Sequence, residues 1–269
     1  MSVLEAIIYG FIQGISEFLP ISSSGHLALL PEIMHIQDPG VLFDIMMHLG
    51  TALAVIYYFR EDILKYFKAL LPAITQWDKG SEDIYFVRNF IFSTVVSVIF
   101  ILLLIPISKH TRSENFIVFN LSFFGAILWL ADILNRKKTT FKKSPFLENL
   151  DFKYAGLIGL AQALAIFPGV SRSGITLTVA LMLSFNRKDA SSYSFLLSIP
   201  IIFGGIIQGI PKLSNQSMDS LIVMLTGVAV SFVVGYLTIR FFMRIIAETK
   251  LVYFSIYRWI VAAIMLWIL

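Results

Sequence analysis

Residues 13–26 read Gln-Gly-Ile-Ser-Glu-Phe-Leu-Pro-Ile-Ser-Ser-Ser-Gly-His, a polar stretch inside a very apolar chain. Gln13 and Glu17 stand four residues apart, so they share one face of a helix. Pro20 is expected to end or kink that helix, because proline lacks an N–H and restricts the residue before it. Ser22, Ser23 and Ser24 are typical of a new helix start, where hydroxyls accept free backbone N–H groups. The stretch therefore predicts two half-helices that meet at a polar break.

The same pattern returns in the second half of the chain, at an offset of 149 residues from Ser22 to Ser171. The identical pairs are Gly10 and Gly159, Gln13 and Gln162, Phe18 and Phe167, Ser22 and Ser171, Ser24 and Ser173, and Gly25 and Gly174. Among the pairs that differ in chemistry, Glu17 corresponds to Ile166 and Ser23 corresponds to Arg172. One copy supplies a carboxylate and a hydroxyl, and the other supplies a guanidinium. We interpret the two stretches as halves of one site.

Composition places the chain in a membrane. It has 269 residues, of which 57% are hydrophobic and 14% are charged, with a mean hydropathy of +0.81. Soluble domains carry about 25% charged residues, so a soluble globular protein is excluded. The sequence has no cysteine, which excludes disulfides and thiolate metal sites. The net charge of +4 is expected to report membrane topology rather than binding to nucleic acid.

Apolar runs predict an all-α polytopic fold. A spanning helix needs about 20 apolar residues. Six segments qualify: 41–59, 84–106, 115–133, 191–211, 221–243 and 251–269. Residues 2–35 and 152–184 are broken in the middle by Pro, Ser and Gly, and each is predicted to be a re-entrant hairpin of two half-helices. Such broken backbone is tolerated at membrane depth only where it is buried in protein or lines a cavity.

The distribution of basic residues predicts the topology. If both hairpins return to their own side, the loops on one side hold 15 Lys and Arg and the loops on the other hold 3. The first group should be cytoplasmic by the positive-inside rule. Residues 1–133 would form a first repeat of one hairpin and three spans, 134–150 a cytoplasmic linker, and 151–269 a second repeat. Because three is odd, the second repeat is inverted, and inverted repeats place their site near the midplane.

Two helix starts that meet near the midplane favour an anion. Their free N–H groups and positive dipole ends bind phosphate, and the planar fork of Arg172 suits phosphate oxygens. We therefore predict a phosphate or pyrophosphate ligand that is reached from the membrane. The predicted binding residues are Gln13, Ser22, Ser24, Gly25, Ser171, Ser173 and Gly174.

The predicted catalytic residues are Glu17, Ser23, His26 and Arg172. Ser23 could be the nucleophile, or a water held by Glu17 and His26 could attack instead. His26 could activate a hydroxyl or protonate a leaving group. Glu17 could orient His26, activate water or hold a divalent cation beside substrate phosphates.

Simpler interpretations of these polar residues stay open. Gln13 could only tie two helices together, each serine could be a cap, and His26 could be structural. Asp44 and His48, at i and i+4, could line an outer mouth or only pair with each other. An outward opening is favoured, because no Lys or Arg occurs before Arg60.

The motifs also resemble a known family. The run from Gln13 to His26 is similar to the (E/Q)xxxE-FLP-x-SS-(S/T)-GH signature of bacterial undecaprenyl-pyrophosphate phosphatases of the bacitracin-resistance type. The run Pro168-Gly-Val-Ser-Arg-Ser-Gly174 matches that family's PGxSRSG motif, and the run from Phe43 to Val55 resembles a third block. The resemblance covers nearly the whole chain, in order.

The resemblance implies a multi-pass protein of the bacterial cell (inner) membrane. Such enzymes remove the terminal phosphate of a C55 isoprenoid pyrophosphate, which recycles the lipid carrier for peptidoglycan synthesis, cell-wall biogenesis and cell shape, and confers resistance to bacitracin. The family's site residues carry over to Gln13, Glu17, Ser23, His26 and Arg172, with Gln in place of a first Glu. It also implies a divalent cation, Mg²⁺ or Ca²⁺.

Two other functions stay open. The alternative is a transporter or flippase of a polyprenyl phosphate lipid, and an ion channel is a third hypothesis. The sequence also leaves open whether the protein is a monomer or a homodimer.

Overall fold

The structure is a computed structural model that describes residues 1–75, 81–108, 111, 113–139, 150–213 and 217–268. All regular secondary structure in these residues is helical, and they contain no strand. The α-helices are α1 Val3–Ser16, α2 Ser23–Met34, α3 Val41–Tyr58, α4 Arg60–Thr75, α5 Glu82–Ser108, α6 Glu114–Thr139, α7 Phe152–Ala163, α8 Arg172–Met182, α9 Arg187–Leu213, α10 Met218–Ile245 and α11 Val252–Ile268. A short 3₁₀ turn, Leu164–Ile166, follows α7.

Five of these helices are long and apolar enough to cross a membrane, namely α3, α5, α6, α9 and α10. The prediction of an all-α, multi-pass membrane protein is therefore confirmed. The sixth predicted span, 251–269, differs, because α11 is a shorter apolar helix of 17 residues. The predicted linker 134–150 begins inside the end of α6, and its residues 140–149 lie outside the described part.

Each of the two polar stretches contains a break between short helices, as predicted. α1 ends at Ser16 and α2 begins at Ser23. In the second stretch, α7 and its 3₁₀ turn end at Ile166 and α8 begins at Arg172. Pro, Ser and Gly act on the backbone within a few residues, which is why the sequence locates both breaks closely.

The two halves of the chain exchange packing partners. In the first half, α1 and α3 both pack against α10, while in the second half α7 packs against α5 and α11 packs against α6. Glycine permits the closest approach: a Cβ on Gly10 would lie 2.6 Å from the carbonyl oxygen of Gly227. Small residues let membrane helices approach in this way. The halves therefore share their core rather than forming two separate bodies.

A buried carboxylate ties the helices together away from the breaks. Asp132 of α6 forms an ion pair with Arg187 of α9, and its Oδ2 accepts the backbone N–H of Leu251 at 3.1 Å. Arg187 Nη1 also donates to the carbonyl of Ala247 at 3.1 Å. Asp132 thus joins α6, the start of α9 and the turn that precedes α11.

Candidate active site

Glu17 is the carboxylate at the first break, and it is 5% exposed. Gln13 is fully buried one turn earlier, and its Nε2 donates to Glu17 Oε2 at 3.0 Å. The i, i+4 spacing therefore does place the two side chains on one face, as predicted. Gln13 acts here as a donor that holds the carboxylate.

Glu17 brings the two halves of the chain together. Ser23, the first residue of α2, donates its hydroxyl to Glu17 Oε2 at 2.7 Å. Arg172, the first residue of α8, donates from Nη2 to Glu17 Oε1 at 2.6 Å and from Nη1 to the carbonyl of Ser194 at 3.1 Å. Ser23 and Arg172, which occupy equivalent places in the repeat, thus meet on one carboxylate.

Ser22 and Ser171 cap the two helix starts in the same way. Ser22 has φ 74° and accepts the N–H of Gly25 at 3.3 Å; Ser171 has φ 73° and accepts the N–H of Gly174 at 3.1 Å. Both serines are buried. A positive φ in a non-glycine residue costs on the order of 1–3 kcal/mol, so tertiary contacts must hold both starts. These two hydroxyls are used as caps, one of the alternatives that the sequence left open.

Ser24 and Ser173 join the two breaks reciprocally. Ser24 Oγ accepts the N–H of Gly169 at 3.2 Å, and Ser173 Oγ donates to the carbonyl of Leu19 at 3.1 Å. Each serine therefore reaches across to the loop that precedes the other helix. The two helix starts are held side by side by the residues that the repeat predicted.

His26 lies one turn into α2, but its ring is engaged elsewhere than at Glu17. Its Nδ1 lies 2.8 Å from the carbonyl of Ser22, and its Nε2 lies 2.8 Å from the hydroxyl of Tyr257 in α11. A nitrogen that faces a carbonyl must carry hydrogen, so we assign Nδ1 as the donor and Nε2 as the acceptor of the Tyr257 hydroxyl. Tyr257 was missed by the sequence analysis, because no local signal marks it.

His48 is the imidazole that faces Glu17. Its Nε2 lies 3.4 Å from Glu17 Oε2, and its Nδ1 donates to the carbonyl of Asp44 at 2.7 Å. The sequence left open whether Asp44 and His48 pair or line a mouth. The structure links the His48 ring to the backbone of Asp44, and both residues line the cavity beside the breaks.

That cavity has a volume of about 400 Å³. Ser24, His48 and Pro168 lie on its wall, so it reaches the two breaks. The other polar residues that line it are acidic, and its lining holds no Lys or Arg from the described part of the chain; the carboxylates are Glu32, Asp38, Asp44 and Glu114. The cavity thus joins an acidic mouth to the two breaks, and His48 on its wall lies beside Glu17.

The residues at the breaks do not form a metal site by themselves. Within the described ranges, no group of three or more His, Asp or Glu side chains could hold a metal ion. Both oxygens of Glu17, the predicted tentative ligand, accept hydrogen bonds from Arg172, Ser23 and Gln13. These residues therefore suit a divalent cation that is coordinated mainly by oxygens of the substrate and of water better than a cation coordinated by protein alone.

Comparisons with known proteins give one consistent match. Residues 6–264 match the family model described as bacitracin resistance protein BacA. An undecaprenyl-diphosphatase of Saccharophagus degradans is 42% identical over 265 residues, which cover 98% of this chain and 97% of the relative. One of Campylobacter concisus is 38% identical over 270 residues, with 100% and 99% coverage, and one of Alteromonas mediterranea is 40% identical over 271 residues, with 99% and 98% coverage.

Proposed function

Because this chain belongs to the bacitracin resistance protein BacA family, we propose that it is an integral-membrane undecaprenyl-diphosphatase. It hydrolyses undecaprenyl diphosphate to undecaprenyl phosphate and inorganic phosphate, which recycles the lipid carrier of peptidoglycan synthesis and confers resistance to bacitracin. The observation that carries the proposal is Glu17, whose two oxygens accept the hydroxyl of Ser23 and the guanidinium of Arg172. A nucleophile, a base and a phosphate-binding cation therefore stand together.

The proposed nucleophile is Ser23. Its hydroxyl is already hydrogen-bonded to a carboxylate at 2.7 Å, which is the geometry of a nucleophile with its general base. In the proposed step, Ser23 Oγ attacks the terminal phosphorus and its proton moves to Glu17 Oε2. The bond from phosphorus to the bridging oxygen breaks, and undecaprenyl phosphate leaves with the bonding electrons. Water then attacks the phosphoserine phosphorus, and the bond from phosphorus to Ser23 Oγ breaks. Glu17 returns the proton to Ser23, and both hydrogens of the water leave with inorganic phosphate.

Arg172 is proposed to bind the terminal phosphate. A guanidinium has more N–H donors than its bonds to Glu17 and Ser194 use, so donors remain for phosphate oxygens. The first-turn N–H groups of α2 and α8 would add to this binding. Ser24, Ser173, Gly25 and Gly174 serve the site by holding those two helix starts in place.

His26 is proposed as the proton donor to the leaving group. Because Nε2 accepts the Tyr257 hydroxyl in this structure, it must first take up a proton, and a phosphate oxygen would then replace the Tyr257 hydroxyl at Nε2. In the alternative route, water attacks instead of Ser23. The imidazole that would hold this water together with Glu17 is His48 rather than His26, because His48 lies beside Glu17. A water hydrogen-bonded to both Glu17 and His48 would be the nucleophile in that case.

A divalent cation, Mg²⁺ or Ca²⁺, is proposed to arrive with the diphosphate. Four carboxylates line the mouth of the cavity, and this charge disfavours a bare polyanion. When bound, the cation would neutralise charge on the phosphate oxygens. The protein steps above do not pass through it.

We propose the inverted-repeat arrangement with both hairpins re-entrant, and a location in the bacterial cell membrane. Support comes from the matching caps Ser22 and Ser171 and from the reciprocal bonds of Ser24 and Ser173. Cysteines placed near Asn215 should react from outside the cell, and cysteines near Lys138 only after permeabilisation. Residue 215 itself lies outside the described part. The opposite labelling would overturn the inverted arrangement.

The test of the function is phosphate release from undecaprenyl diphosphate by purified protein, measured with and without a chelator. We expect release that falls when divalent cations are removed. A folded protein that releases no phosphate, but that moves the lipid between leaflets of a vesicle, would favour the flippase instead.

A further inference from the structure

Arg258 in α11 is a fully buried cation outside the predicted site. Its exposed fraction is 0%, and it is the largest of the fully buried side chains. Among the described residues it forms no ion pair, unlike Arg172 and Arg187. A buried charge without a counter-charge is costly and, within a membrane, is usually functional. The position of Arg258 therefore needs an explanation.

The guanidinium of Arg258 binds backbone carbonyls. Its Nε donates to Leu121 O at 3.0 Å, and its Nη2 contacts Asn120 O at 3.1 Å, Gly169 O at 2.9 Å and Val170 O at 3.1 Å. The first two carbonyls belong to α6. The other two belong to the loop that leads directly into Ser171 and Arg172. Arg258 thus holds the loop that contains Gly169 and Val170 against α6.

These bonds fix the direction of the loop's carbonyls. Asn120 Nδ2 holds the carbonyl of Pro168 at 2.7 Å, so three successive carbonyls, from residues 168 to 170, are held on the side of α6 and α11. Carbonyls held there cannot turn toward an anion at the start of α8. The first-turn N–H groups of α8 are left to face it.

The charge of Arg258 also lies close behind the start of α8. Its Nη1 has no hydrogen-bond partner in the described part of the chain, and it would lie 3.2 Å from a Cβ placed on Gly174. Carbonyl dipoles solvate the guanidinium but do not cancel its charge. An anion bound at the start of α8 would offset the charge of Arg258 across the low-dielectric interior, where charges are screened weakly.

We propose that Arg258 is a positioning residue of the phosphate site, and that its counter-charge is the diphosphate of the substrate. The inference rests on the proposed function. It assigns to α11 the task of holding the Pro168–Val170 loop and of making the start of α8 more positive. Arg258 does not touch the reacting atoms and acts through the loop.

The test compares Arg258→Lys, Arg258→Gln and Trp259→Phe. Lysine keeps the charge with fewer directed donors, and glutamine keeps donors without the charge. Trp259 is the matched control, because it is the next residue of α11 and its Nε1 donates to Ser122 O of α6 at 3.0 Å rather than to the Pro168–Val170 loop. Each purified variant is first checked for folding by thermal unfolding. The affinity for inorganic pyrophosphate is then read from the ligand-induced rise in Tm, and kcat and KM are measured with undecaprenyl diphosphate.

We expect Arg258→Gln to lower pyrophosphate affinity by about tenfold or more, the scale of one charge-assisted interaction. Arg258→Lys should retain more affinity than Arg258→Gln, and Trp259→Phe should behave as wild type. In both Arg258 variants KM should rise more than kcat falls. Wild-type affinity in Arg258→Gln would overturn the inference. If neither Arg258 variant folds, Arg258 serves stability and the inference is likewise overturned. Failure of the proposed function would be seen separately, as absence of phosphate release by the wild-type protein.

Discussion

Glu17→Gln is the substitution that probes the site most directly. It changes one oxygen to an NH₂ group with little change of volume. Three side chains of the described residues donate to Glu17: Arg172 at Oε1, and Gln13 and Ser23 at Oε2. The imidazole Nε2 of His48 lies 3.4 Å from Oε2. An amide has one acceptor oxygen, so it can satisfy Arg172 or Ser23 but not both.

The magnitude follows from these contacts. Hydrogen bonds to charged groups contribute about 1.5–3 kcal/mol, and removing one partner of a buried ion pair costs about 3–5 kcal/mol. The free energy of unfolding should therefore fall by a few kcal/mol, while the many other helix contacts keep the fold. Loss of the general base should lower kcat by about 10²–10⁴. The KM should change less, because Arg172 still carries its charge.

The assay is phosphate release from undecaprenyl diphosphate by purified variants, with thermal unfolding measured on the same samples. Glu32→Gln is the matched control, since Glu32 lines the cavity beside the breaks without a hydrogen bond to Ser23 or Arg172 in the structure. We expect the control to keep activity close to wild type. Wild-type turnover by Glu17→Gln would reduce Glu17 to a structural role and refute the proposed base.

Five further substitutions, at four residues, test other contacts. Ser23→Ala should lower kcat while leaving substrate binding nearly intact, and weaker binding with unchanged turnover would instead make Ser23 a phosphate ligand and water the nucleophile. Arg172→Ala should impair both kcat and substrate binding, and Arg172→Lys should restore only part of each. Tyr257→Phe removes the hydroxyl on His26 Nε2 and should change the pH profile of kcat with little change in Tm, and an unaltered profile would argue against a role for His26 in proton transfer. Asp132→Ala should lower the free energy of unfolding by about 3–5 kcal/mol, because Arg187 loses its buried partner. A variant as stable as wild type in chemical unfolding would contradict a stabilising role for this ion pair.

Much of this protein could be predicted from sequence because the deciding physics is local. A run of about 20 apolar residues needs a helix in lipid wherever the rest of the chain lies. Likewise, the helix starts at Ser23 and Arg172 follow from the serines and glycines beside them. The offset between Ser23 and Arg172 also indicated that the two would meet, and Glu17 contacts both.

Other features were decided only by the tertiary structure. Gln13 and Gln162 are equivalent in the repeat, yet Gln13 holds Glu17 while Gln162 donates to Ser97 and to the carbonyl of Leu197. Their roles differ because different helices pack against them, which no local pattern records.

The partners of the two imidazoles show the same limit. From the sequence, Glu17 was expected to be able to orient His26. The ring of His26 instead contacts Tyr257, 231 residues away, while His48 faces Glu17. Arg258 likewise reaches the loop before Ser171 from 88 residues away. Such contacts depend on how α3 and α11 pack against the breaks. That packing is set by contacts summed over whole helix surfaces, so it lies beyond the few residues within which backbone preferences act.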